Sequence, residues 1–333
     1  MRAAVMEAVR QPLVVREMPD PDTPPNGVRL RVEANGICRT DWHLWTGDWT
    51  WVGVALPTPH VLGHEFCGIV DGRRVVAANS APCGECPPCL AGRANLCEHL
   101  LFVNGAYGEA IALPRRLVAR NVVRLPASVP PHRAAFAEPL ACALLGIERA
   151  RVESGQSVVV FGHGPLGCLL AMLAAGRKAR VIIVGKRGWR FERVRSLRIG
   201  EYVDAATSRD VVAEIRSLTG GRGADVTVDA TGLPEVWEQA VAAAARGGSV
   251  VFFGGCAPGT TVRLDTRRMH YEELTLVGAF HHTPELIRRA VEVLESETLN
   301  PDALLTHRME LADVPRALEL MSRGDALKVL IEP

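Results

Sequence analysis

No stretch of this 333-residue sequence carries the roughly 18–20 consecutive apolar residues that a membrane-spanning helix needs. The opening run MRAAVMEAVRQPLVVREMP alternates like a strand and lacks the apolar core of a secretory signal. A soluble, cytoplasmic protein is expected. Excess charge of either sign is also missing, with 38 Lys and Arg against 37 Asp and Glu. That balance excludes a broad phosphate-binding face, so neither nucleic acid nor an acidic membrane is expected as a partner. Repeats, low-complexity segments and long charge runs are absent as well.

What is present is apolar bulk and clustered sulfur. Hydrophobic residues make up 48% of the chain, enough for sizeable cores, and the length suits two domains better than one. Nine cysteines is an odd number, and four of them crowd into residues 83–97. Without an export signal, such crowding points to a metal site before it points to disulfides.

Two rhythms divide the chain. Residues 1–135 read as β-rich: short alternating segments such as Val28–Glu33 and Arg74–Ala77 are punctuated by turns at Pro24-Pro25-Asn26-Gly27 and Asp71-Gly72. The Asp-Gly pair predicts a tight hairpin. Pro130-Pro131 opens a predicted helix from His132 to Arg149. From Gln156 onward, apolar runs at Ser157–Phe161, Val181–Val184, Val226–Val228, Val250–Phe253 and Leu274–Val277 alternate with helical patterns such as Leu166–Ala175. Buried strands alternating with helices predict a doubly wound parallel sheet, an α/β fold. From His281 the tail reads helix, loop, helix, then the strand Lys328–Ile331.

Cys83, Cys86 and Cys89 follow one another at two-residue gaps, with seven residues between Cys89 and Cys97. Such spacing lets four thiolates close a tetrahedron on one ion, and all-sulfur coordination without an open position suits a structural zinc. Free or disulfide-bonded cysteines and an iron–sulfur cluster are the competing readings. A zinc-ribbon nucleic-acid module is disfavoured, because the loop lacks the basic and aromatic residues expected of one, Arg93 being its single basic residue.

Phe161-Gly162-His163-Gly164-Pro165-Leu166-Gly167 contains G-x-G-x-x-G between a predicted strand and a predicted helix. In that context Gly162 permits the tight turn, Gly164 lets backbone approach a pyrophosphate, and Gly167 packs helix on strand, with Leu166 beside them. The helix N-terminus favours the anion. The second strand ends at Gly185, where an NAD-specific site carries an acid about 20 residues past the glycines. Lys186 and Arg187 follow directly. Without the carboxylate, those cations are available to a 2′-phosphate, so NADP is expected as cofactor, with NAD the alternative.

Cys38-Arg39-Thr40-Asp41-Trp42-His43 and Gly63-His64-Glu65 place a thiolate and an imidazole ahead of the four-cysteine loop, and both are good zinc ligands. With these segments the sequence resembles, from Met1 to Pro333, the zinc-containing branch of the medium-chain dehydrogenase family. Phe136-Ala-Glu138-Pro139-Leu140-Ala-Cys142, Gly164-Pro165-Leu166-Gly167 and Gly324-Asp-Ala-Leu-Lys328-Val are similar to its polyol and threonine dehydrogenase-like group.

The resemblance implies a GroES-like catalytic domain over residues 1–139 and 281–333, and a Rossmann domain over 140–280. It implies a second, catalytic zinc on Cys38 and His64, with Glu65 a direct ligand or a neighbour of one. Glu138 either binds that metal or holds its water. Asp41 would orient the zinc-ligating histidine, while Thr40 and His43 would carry the substrate proton to solvent. Arg39 and Lys328 would contact the pyrophosphate, and the Phe253-Gly254-Gly255 and Gly278-Ala279-Phe280 segments would line the nicotinamide.

The activity implied is reversible hydride transfer between a small secondary alcohol and NAD(P). Candidate substrates are a polyol, cyclitol, amino-cyclitol or hydroxy amino acid, and the implied assembly is a homodimer or homotetramer. A zinc-free quinone or enoyl reductase, or a non-catalytic dinucleotide-binding protein, is the alternative. Four of the six tryptophans, Trp42, Trp45, Trp49 and Trp51, fall within ten residues. They read equally as a substrate wall, as core packing or as a subunit contact. The sequence departs from the family at a compact Cys67–Val76 hairpin, where relatives usually carry a longer excursion.

Overall fold

In the computed structural model, which describes residues 1–47 and 56–333, the chain separates into two units, Met1–Ala141 with His282–Pro333, and Cys142–His281. Trp49 and Trp51 lie outside the described residues. The first unit is β-rich and the second is α/β, the fold class expected.

The first unit is organised around the strand Val28–Gly36. Leu30, Val32 and Ala34 point into the core while Arg29 and Arg31 face solvent, the period-two pattern of a half-buried strand. On one side it pairs antiparallel with Glu65–Val70, which turns at Asp71-Gly72 into Arg73–Ala77. Both turn residues have positive φ, 46° and 74°, as the predicted hairpin turn requires. On the other side Val28–Gly36 pairs antiparallel with Lys328–Glu332, itself parallel to Leu305–Glu310. Leu30, Phe66, Ile111, Leu113 and Leu117 fill the core against this sheet. A second core gathers Met6, Ile37, Leu44, Leu62, Leu318 and Ile331, with Trp42 and Trp45 packed on it. The two indoles lie 4.7 Å apart between ring centroids, and Trp45 Nε1 donates to the Gln11 carbonyl. For these two tryptophans, core packing describes what they do.

The helix predicted from His132 to Arg149 is broken into Pro131–Ala134 and Ala137–Ala150. Pro139 explains the break. It has no N–H for the Ala135 carbonyl and its ring would strike that turn, so the longer helix restarts at Ala137 with proline in its first turn.

The second unit holds a six-stranded parallel sheet in the spatial order Glu201–Asp204, Arg180–Gly185, Ser157–Phe161, Ala224–Asp229, Ala244–Phe252, Thr275–Gly278. Numbered along the chain within this unit, that order is 3-2-1-4-5-6, the doubly wound arrangement with a switch point beside its first strand. Val158, Val159, Val160, Ile182, Ile183, Val226 and Val228 are buried, because helices cover both faces of the sheet. Glu201–Asp204, unannounced by any apolar run, is the edge strand.

Candidate catalytic and dinucleotide sites

Strand register assembles the first site. Gly36 pairs with Glu65 on one neighbour and with Leu330 on the other. Continuing those ladders brings Cys38, His64 and Lys328 to the same end of the sheet. Cys38 is the N-cap of the helix Arg39–Thr46: the Thr40 N–H points at its sulfur (3.5 Å), and Asp41 accepts from the Cys38 N–H, closing a capping box. Cys38 Sγ, a ring nitrogen of His64 and a carboxylate oxygen of Glu65 all lie within 4.8 Å of one another.

Asp41 is fully buried and satisfied on every side. Oδ1 accepts from the Gly63 N–H at 3.2 Å and lies 3.0 Å from His64 Nδ1. Oδ2 accepts from the Cys38 N–H at 3.2 Å and from the Tyr107 hydroxyl at 2.7 Å. One carboxylate thus ties both ligand-bearing segments together and leaves His64 Nε2 for a metal. Burial works against ionisation of Asp41, but His64, Tyr107 and the Cys38 amide outweigh it and hold its pKa low. Burial likewise opposes a charged His64, yet Asp41 and Cys38 raise its pKa well above the usual range. The pocket is built to hold a cation on the histidine, and the thiolate–imidazole pair suits zinc.

Tyr107 has no sequence signature, being 66 residues from its partner. Tyr107→Phe is expected to cost about 1–3 kcal/mol of stability, the usual penalty for an unsatisfied buried acceptor. It should also weaken zinc at the Cys38 site about ten-fold, as loss of a supporting partner does. Chemical denaturation and zinc competition with a chelator check both.

Glu65 and Lys328 form a buried ion pair, each 2% exposed, and Lys328 Nζ also donates to the Ile37 carbonyl at 3.1 Å. Lys328, expected at a pyrophosphate, is thus placed on Glu65. The pair occupies the space a side chain at Gly36 would need: a Cβ there would lie 2.9 Å from both Lys328 Cε and Nζ.

Glu138, in the first turn of Ala137–Ala150, is not in the Cys38–His64–Glu65 group. Its Oε1 lies 3.7 Å from Nε2 of His282, a residue that no motif singles out, and that same nitrogen is 3.0 Å from Asn79 Oδ1. Thr40 and His43 stand three residues apart on one helix, hence on one face, both partly buried; Arg39 is exposed.

The four sulfurs of Cys83, Cys86, Cys89 and Cys97 also fall within 4.8 Å of one another, and all four cysteines are free. Backbone N–H groups of Glu85 and Cys86 point at Cys83 Sγ, and those of Cys83 and His99 at Cys97 Sγ. Those amides draw the Cys83 thiol down to about 6, while burial and its sulfur neighbours push Cys89 up to about 12. Thiolates this close resist joint ionisation unless a cation sits among them, so the donor set fits a metal.

In the second unit the glycine motif takes the expected form. Gly162 has φ 109°, and its N–H donates to the Val184 carbonyl. A Cβ on Gly167 would strike the Gly162 backbone. Gly164 caps the helix Pro165–Gly176, which carries Leu166 in its first turn, and nothing lies within 4 Å of where its Cβ would stand. Nothing in this unit crowds that position, so the open space suits backbone approach by a pyrophosphate.

Beyond Gly185, Lys186 is exposed. Arg187 is held by Asp204, its Nε 3.0 Å from Oδ2 and its N–H donating to Oδ1 at 2.9 Å. Arg187, Asp204, Arg195 and Thr207 line a cavity of about 280 Å³. Asp229, at the end of its strand, accepts from the Thr231 hydroxyl, the Gly232 N–H and Trp237 Nε1. Burial raises its pKa. The Phe253 and Gly254 N–H groups donate to its carbonyl, which fixes the loop after Ala244–Phe252. Ala279 follows the last strand, 7% exposed, its N–H on the Phe252 carbonyl.

Among the described residues no helix is long and apolar enough to cross a membrane. Residues 24–127 match the alcohol dehydrogenase GroES-like domain, and residues 165–296 the zinc-binding dehydrogenase domain. L-threonine 3-dehydrogenase of Bacillus velezensis is 30% identical over 100% of this chain and 99% of its own. L-galactonate-5-dehydrogenase of Escherichia coli is 29% identical over 91% of this chain and 90% of its own. A protein of Sinorhizobium meliloti described as a zinc-binding dehydrogenase, solved bound to NADP, superposes with a TM-score of 0.90 at 30% identity, covering 100% and 99% of the two chains. The chain is an oxidoreductase and belongs to the zinc-type medium-chain alcohol dehydrogenase family.

Proposed function

We propose that this chain oxidises a secondary alcohol of a small polar substrate, of the polyol, cyclitol, amino-cyclitol or hydroxy amino acid type, reversibly and with NADP preferred over NAD. The observation that carries the reading is the convergence of Cys38, His64 and Glu65 around Asp41. The relatives' names support the substrate class, since carbon 3 of threonine and carbon 5 of galactonate both bear secondary hydroxyls. The NADP in the Sinorhizobium meliloti structure supports the cofactor.

Two groups fit the sites described. Cys38 and His64 would hold one zinc, with Glu65 beside them and Glu138 not gathered with them; Cys83, Cys86, Cys89 and Cys97 would hold a second. Gly162, Gly164 and Gly167 would cradle the dinucleotide, and Lys186 with Arg187 would face its 2′-phosphate. When bound, zinc supplies Lewis acidity toward a hydroxyl oxygen and the nicotinamide accepts hydride. The chain supplies the rest. Asp41 keeps His64 in one tautomer and orientation. Thr40 Oγ1 takes the proton released by the substrate hydroxyl, and the His43 ring passes it to solvent. The Asp229 carbonyl fixes the backbone of Phe253 and Gly254, and Ala279 is tied to Phe252, so these groups stand ready to line the ring.

A panel of secondary alcohols and ketones, followed by nicotinamide absorbance with each cofactor, tests the reading. A kcat/KM at least about ten-fold higher with NADP than with NAD is expected, the worth of one charge-assisted contact. A clear NAD preference would overturn the reading of Gly185, Lys186 and Arg187. Chelation should abolish turnover and zinc restore it; turnover untouched by chelation would favour a zinc-free reductase.

A further inference from the structure

We propose that His163, the residue between the first two glycines of the dinucleotide motif, determines cofactor choice by filling the space beside Gly185 that a 2′-hydroxyl-binding carboxylate would need. The proposal deepens the NADP reading and rests on it. Phe161 pairs with Val184, so the turn after one strand lies against the end of the next. A Cβ built on Gly185 would stand 2.7 Å from Cγ and 2.9 Å from Cε1 of the His163 ring. The φ of Gly185 lies outside the left-handed region, so its backbone would accept any residue; the obstacle is the imidazole.

That imidazole cannot swing away cheaply. Phe191 meets it edge-on, 5.6 Å between centroids at 87°, and Phe191 is in turn backed edge-on by Tyr202 at 6.1 Å. Tyr202 is pinned by its hydroxyl, which donates to the Val194 carbonyl and accepts from the Ile199 N–H. Packing against Phe191 is what the ring rests on. Burial, helped by Arg190, lowers its pKa to about 4, which keeps it neutral near pH 7. Glycine at 185 therefore does more than omit a carboxylate. The neighbouring turn has taken over the volume, and recognition of a 2′-hydroxyl by an acid at 185 requires both positions to change.

Dissociation constants for NADH and NADPH, read from nicotinamide fluorescence on the zinc-loaded protein, test this with Gly185→Asp, His163→Ala and the double variant. Gly185→Asp alone should gain less than about two-fold in NADH affinity, and the double variant at least about ten-fold over it, within the range of coupling between touching residues. A single Gly185→Asp that gains as much as the double variant would overturn the proposal. Gly185→Ala, with and without His163→Ala, reads the same coupling free of charge and serves if the aspartate variant does not fold. Gly185→Ala should melt lower than wild type and recover with His163→Ala; a Gly185→Ala protein as stable as wild type overturns the proposal too. The wild-type ratio of NADH to NADPH affinity tests the NADP reading separately, since coupling between 163 and 185 is measured whichever cofactor the wild type prefers.

Discussion

Cys38→Ala is expected to lower kcat/KM by at least about three orders of magnitude, the several kcal/mol that a Lewis acid contributes. Zinc content should fall by one equivalent per chain while the equivalent on Cys83, Cys86, Cys89 and Cys97 stays. Two features make the loss local. Cys38 is partly exposed, at the point where the strand Val28–Gly36 hands over to the helix Arg39–Thr46, so its removal opens no cavity in a core. Its capping bond to the Thr40 N–H is long, and Asp41 keeps all four of its donors, because the backbone N–H at position 38 survives the change to alanine alongside Gly63, His64 and Tyr107. Circular dichroism should therefore show a folded protein with a melt within a few degrees of wild type. A loss of only a few-fold in rate, or zinc content unchanged, would contradict the assignment.

Lys328→Met is expected to be the most destabilising single change outside the metal ligands, by about 3–5 kcal/mol, because it strands the Glu65 carboxylate in a place water cannot reach. For a protein with a total stability of about 5–15 kcal/mol, that is a large fraction. Methionine restores most of the volume, so the loss is electrostatic and not a cavity. The effect should be non-additive: Glu65→Gln with Lys328→Met together should lose less than the two single changes summed, since the double variant strands neither charge of the pair. Gly36→Ala should disturb the same pair from the third strand, as its methyl group would intrude between them. Urea denaturation of the wild type and these four variants measures this. A Lys328→Met midpoint equal to wild type would show that Glu65 is neutralised by something other than Lys328.

The parts of the fold written in contiguous residues were legible. Asp71-Gly72 between apolar segments specified its hairpin, and the runs at 157–161, 181–184, 226–228 and 250–253 announced buried parallel strands because such strands need no polar face. The glycine motif was readable because each glycine answers a local demand of turn or helix packing. What escaped were consequences of pairing at a distance. Lys328 and Glu65 are 263 residues apart, and only the register of three strands brings them together. Tyr107 and His282 are single residues with no periodic neighbours, so nothing in the sequence ties them to Asp41 or to Asn79. Glu201–Asp204 is an edge strand with a glutamate, a tyrosine and an aspartate, too polar to stand out as an apolar run. The helix break before Ala137 was within reach, since Pro139 dictates it; composition rich in alanine and leucine masked that signal.

Anomalous diffraction at the zinc edge from crystals of the zinc-loaded protein decides whether one ion bridges Cys38 and His64. Two peaks per chain are expected. One should stand about 2.3 Å from Cys38 Sγ and about 2.0–2.1 Å from His64 Nε2, and the other should be enclosed by Cys83, Cys86, Cys89 and Cys97. A single peak confined to the four cysteines, with no density between Cys38 and His64, would contradict the proposed chemistry.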